Sequence, residues 1–179
     1  TAMGDGDVSG ANNIAIGSLS ADALTSGACN VALGMNALGA STIGAINVAL
    51  GRNALGGTTT GATHQNVAIG DCAMFGDSNT VANHNIAIGS YTHEKITTGT
   101  TNIALGYNAM KCTTIGNCNV AIGRNALGAA TTALSNVAIG QNALAGAMTS
   151  TSGDEGDYNV AIGKDAAAAV TTGYNNIAL

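Results

Sequence analysis

The chain has 179 residues, 8% of them charged, with 26 glycines, no proline, no tryptophan and one phenylalanine, Phe75. Ordinary domains carry roughly 25% charged residues, so this chain lacks both the charges for a solvated shell and the bulky side chains for a conventional core. Its net charge of −5, with five scattered basic residues, excludes a phosphate-neutralising face for nucleic acid, and no run approaches the roughly 18 apolar residues of a membrane span.

From the N-terminus onward a single phrase recurs. Asn-(Ile/Val)-Ala-(Ile/Leu)-Gly begins at Asn13, Asn30, Asn47, Asn66, Asn85, Asn102, Asn119, Asn136, Asn159 and Asn176, at spacings of 17, 17, 19, 19, 17, 17, 17, 23 and 17 residues. Thr1 to Gly4 read as the tail of one more copy. Self-similarity at such a period is the signature of a repeat architecture. The whole of 1–179 therefore reads as a single repetitive segment, expected to be part of a longer fibre, with irregular turns at 66–101 and 149–158.

Within each copy, counted from its Asn, positions 2 and 4 are β-branched or Leu and position 3 is Ala. Strand side chains alternate between faces, so positions 2 and 4 share one face and Ala takes the other. A Gly follows at position 5, as in Gly34, Gly106 and Gly123, where a turn needs positive φ or close backbone approach. A second apolar pair at positions 8 and 9 (Ala37-Leu38, Ala54-Leu55, Ala126-Leu127, Ala143-Leu144) and a Thr-rich step complete the copy. Recurrent Gly and β-branched residues argue against helix. Each repeat is predicted to hold two short strands and two tight turns.

Stacking such units gives an all-β, parallel β-solenoid of about ten 17-residue turns, roughly 4.8 Å apart, hence a rod on the order of 45–50 Å long. The ten repeat asparagines are expected to form a ladder of side-chain amides. Positions 2 and 4 are expected to fill the core. The column of Ala15, Ala32, Ala49, Ala68, Ala87, Ala104, Ala121, Ala138 and Ala161 is then the inter-chain face of a homo-oligomer, because small side chains let another backbone come close. On that reading, Glu in place of Ala104 and Ala121 disperses the assembly.

Three departures from the repeat stand out. Tyr91, His93, Glu94 and Lys95 interrupt the fifth copy. They are candidate surface contacts, with His93 expected to face solvent on a local bulge in preference to forming an ion site with His64 and His84. The 23-residue copy carries Asp154, Glu155 and Asp157. This cluster reads as a solvated acidic loop tip and further candidate contact, since the ligand order of a calcium loop is missing. Cys29, Cys72, Cys112 and Cys118 show no metal-ligand spacing and are expected to be small buried hydrophobes. With no nucleophile elbow, phosphate loop or paired carboxylates, neither catalysis nor a metal or other cofactor is expected.

The phrase NVAIGRNAL with its TTG step resembles the head repeats of trimeric autotransporter adhesins and is similar, more closely, to the 17-residue repeats of phage and virus tail fibres. The resemblance covers Thr1 to Leu179. It implies a homotrimer of left-handed β-rolls, the shaft or head of an extracellular adhesive fibre on a virion or cell surface, with a host-surface glycan or protein as eventual target. A self-assembling filament subunit is the alternative from the residues themselves. An ice-binding solenoid is a third and weaker one, since its paired threonines alternate faces.

Overall fold

The computed structural model describes residues 9–57, 63–76, 80–148 and 156–179. They form an all-β solenoid. Ten strands follow in chain order: β1 (Ile14–Ile16), β2 (Val31–Leu33), β3 (Val48–Leu50), β4 (Val67–Ile69), β5 (Ile86–Ile88), β6 (Ile103–Leu105), β7 (Val120–Ile122), β8 (Val137–Ile139), β9 (Val160–Ile162) and β10 (Ile177–Ala178). Each pairs in parallel with the next, in one sheet of order β1 to β10. The register is one repeat per step, Ile14 on Val31 and Ala104 on Ala121, and it survives the long copies, Val137 meeting Val160 across 23 residues. The ladder therefore keeps its register across the longer copies.

The face assignment is the reverse of the expected one. From Ala32 to Ala161 the position-3 alanines are 0% exposed within a single chain, so this column is interior and not an inter-chain face. Positions 2 and 4 point outward, and none of them is buried. The alternation is the one read from the sequence; its inside and outside are exchanged. The reason is the thinness of the solenoid. One bulky column at position 9 (Leu38, Leu55, Met74, Met110, Leu127, Leu144) fills the interior, and alanines at positions 3 and 8 close around it. A β-branched side chain at position 3 would overpack that space.

Among the described residues one strand forms per turn, with isolated bridges such as Ala45 to His64 beside it, and positions 8 and 9 lie in a turn rather than a second strand. Three non-glycine residues per turn have positive φ, for example Asn36 (55°), Leu38 (53°) and Ile46 (60°). Such conformations are uncommon and individually unfavourable. Hydrogen bonds to the neighbouring turns hold them: Asn36 N–H donates to Ser18 O at 2.9 Å, and Leu38 N–H to Ala54 O at 2.9 Å. The turn is thus clamped to the coil on either side.

Gly34 at position 5 has φ 135°, and a Cβ there would sit 2.6 Å from Gly51 O. Both the dihedral and the space exclude a side chain, which explains why Gly recurs at this step in every turn.

Candidate interaction surface

The strand corners are built by asparagine. Each repeat Asn from Asn30 to Asn176 donates its backbone N–H to the Oδ1 of the repeat Asn one turn earlier, at 2.8–3.1 Å. Its Nδ2 bonds the same oxygen at every step except Asn159 to Asn136. From Asn13 to Asn159 the Nδ2 also donates to a backbone carbonyl about one coil later, as Asn102 does to Gly116 O at 2.7 Å. These asparagines are buried from Asn30 to Asn159, and a buried amide is tolerated only when so satisfied.

A second ladder runs at position 7 and was not anticipated. Asn36 Nδ2 donates to Asn53 Oδ1 (2.9 Å), Asn108 to Asn125 (3.3 Å), Asn125 to Asn142 (3.0 Å) and Asn142 to Asp165 (2.8 Å). Its signal was in plain view as the second Asn of NVAIGRNAL. Cys72 and Tyr91 replace Asn in the middle of this column, and Asn108 Oδ1 beyond them is buried without a partner. The Thr-rich step is a third column. Thr25, Thr97 and Thr114 donate their hydroxyls to the backbone carbonyl of the Thr one turn on, at 3.0–3.1 Å.

With Asn and Ala turned inward, the outer sheet face is two columns of Val, Ile and Leu running the length of the rod. Mid-rod, Ile86, Ile88 and Ile103 remain 37–39% exposed. The strip carries no ionisable group. It is bordered at position 6 by Arg52, Asp71, Arg124 and Lys164, with Met35 and Tyr107 in the same column, and just before each repeat Asn by a column that includes Ile46, Gln65, His84 and Thr101. An apolar strip with a mixed, partly charged border resembles the make-up of a protein interface.

The expected contact residues separate. Tyr91 is part-buried and stacks edge-on with Tyr107 (6.1 Å between centroids, 86°), while Lys111 Nζ lies 5.2 Å over the Tyr91 ring and 3.5 Å from Glu94. Lys95 is exposed. His93 is corrected: it is fully buried in the position-9 column, not on a solvent-facing bulge. Burial holds its pKa down at about 3. His64 and His84 lie in other columns, and His64 Nδ1 accepts the Ala45 N–H at 3.1 Å. Asp157 is also corrected, being buried with its Oδ1 accepting Leu134 N–H at 2.8 Å; Asp154 and Glu155 lie outside the described residues. Cys29 and Cys118 are exposed and Cys72 and Cys112 part-buried, so none is a core hydrophobe. Burial, followed by the nearby Asp71 carboxylate, pushes the Cys72 thiol upward. Arg52 is held more firmly protonated by its 2.6 Å bond to Asp71.

Among the described residues no three or more His, Cys, Asp and Glu converge, and no helix is long and apolar enough to cross a membrane. In comparisons with known proteins, no family model, curated protein or solved structure matches the chain. The surface itself is what remains to interpret.

Proposed function

We propose that this chain is a rigid, self-associating segment of an extracellular adhesive fibre, a tail-fibre shaft or adhesin head, without catalytic activity. The observation that supports it is the outward Val/Ile/Leu strip. Two apolar side chains per turn over ten strands form a continuous band about 45 Å long at 4.8 Å per turn, and a contiguous apolar stripe of this kind marks an interaction surface. A second copy of the same strip is its natural cover, because the flat repeat spacing of one chain matches that of another. The resemblance to trimeric fibre repeats sets the number at three. In that assembly Asn and Thr ladders stiffen each rod, the apolar strips meet at the shared axis, and irregular copies at 66–101 and 149–158 carry the segments that meet a host-surface glycan or protein.

Native mass by light scattering tests the reading. Three times 17.3 kDa is expected. A sharp monomer would refute self-association, and growth without limit would favour the filament alternative, in which sheet ends pair strand on strand.

A further inference from the structure

His93 is the one polar member of the position-9 column among the described residues. The sheet register places Ile69, Ile88 and Leu105 side by side on consecutive turns, and five residues further on stand Met74, His93 and Met110. All three are fully buried. The hydrophobic core divides here: one cluster ends with Met74, Ala87 and Ile96 and the other starts with Ala104 and Met110. Neither ring nitrogen of His93 has a hydrogen-bond partner, although its neighbour Thr92 donates its hydroxyl to Gly106 O at 2.8 Å. A polar ring with two unpartnered nitrogens thus stands in a closed core, on the turn between those that carry Met74 and Met110.

We infer that Met74, His93 and Met110 form a buried site for a soft monovalent cation of the copper(I) or silver(I) class. Thioether and imidazole are the ligands such ions prefer. Turns are about 4.8 Å apart, and the unbranched, flexible methionine side chains can lean along the rod from either neighbouring turn toward an ion held on the imidazole. All three ligands are neutral, so a dication would remain uncompensated in this apolar interior, whereas a single positive charge is the least costly to place there. Asp71 and Cys72 on the preceding turn, Glu94 and Lys95 on the same turn, and Lys111 and Cys112 on the following one lie outside the core and supply no ligand. A pocket of about 350 Å³ is lined by Phe75, Gly76, Glu94, Lys95, Thr97 and Thr114, and Phe75 and Glu94 directly follow Met74 and His93 in the chain. The inference concerns one chain's interior and is independent of self-association.

The test uses the full chain with Cys29, Cys72, Cys112 and Cys118 replaced by Ser, which removes competing thiols, and Ag⁺ as a redox-inert probe in chloride-free buffer. One Ag⁺ per chain is expected by calorimetry, with the ε-methyl NMR signals of Met74 and Met110 shifting together and the melting temperature rising. His93→Leu restores the column's usual residue and so folds; it is expected to abolish uptake. Met110→Leu, equally compatible with the column, is expected to weaken uptake at least tenfold. No uptake by the thiol-free chain, or uptake unchanged by His93→Leu, overturns the site.

Discussion

At the scale of single residues, the solenoid depends on a few positions where only one side chain works. Gly123 has φ 130°, and a Cβ there would lie 2.5 Å from Gly140 O. Gly123→Ala is expected to cost about 3 kcal/mol or more, from dihedral strain together with backbone displacement, measured by chemical denaturation. Asn102 is as specific. Its removal leaves the buried Asn119 N–H and Gly116 O without partners, so Asn102→Ala is expected to lose about 2–4 kcal/mol. His93 acts in the opposite sense. Burial lowers its folded-state pKa to about 3, well below the ordinary histidine value of 6.5. The neutral ring is the form the fold accepts, so stability is whole above pH 6.5 and falls as pH drops from 6.5 toward 3. The denaturation midpoint of the wild type is expected to fall behind that of His93→Leu over that window, and the gap to stay constant above pH 7. A gap that did not widen in acid would mean that the ring already reaches water.

At the scale of the element, each turn is one three-residue strand followed by a stack of left-handed residues. The strand's alternation was legible: Asn and Ala on one side, the larger aliphatics on the other. Which side faces inward was not legible, because the rule that large apolar residues go inside assumes an interior wide enough to hold them. Here the position-9 column already fills the interior, and Ala32 to Ala161 close it. The substitution test changes accordingly. Ala104→Glu places a carboxylate in the closed core and is expected to unfold the chain, by the cost of an unpaired buried charge. Ile103→Glu, on a side chain 37% exposed, is expected to leave the circular dichroism spectrum unchanged and to disperse the oligomer. If Ile103→Glu stays assembled, the outer strip is not the shared face. The second strand was misread for a related reason. Ala-Leu at positions 8 and 9 has the composition of a short strand, but Asn at position 7 and the inter-turn bonds select alternating left-handed geometry there.

At the scale of the whole molecule, nearly every stabilising contact joins a turn to its immediate neighbours, as in other solenoids. The three side-chain columns of Asn, Asn and Thr add inter-turn hydrogen bonds to the backbone ladder. Long copies are absorbed without a register change, so the number of residues between successive strands can vary while the ladder continues. Deleting a whole 17-residue copy, for example 119–135, is expected to preserve the fold and shorten the rod by about 4.8 Å, measurable by small-angle scattering. Loss of folding would mean that the turns are not interchangeable.

The period, the parallel stacking and the ladder-forming Asn at each turn's start were determined by the sequence alone, because repetition forces identical residues into register whatever the coil's shape. Tertiary structure alone decided what that coil encloses. The width of the lumen sends Ala inward and leaves Val, Ile and Leu outside, draws His93 and Asp157 into the interior, and buries Met74 and Met110 on the turns before and after His93. These are relations between turns and across the lumen, and no single repeat contains the distances that govern them.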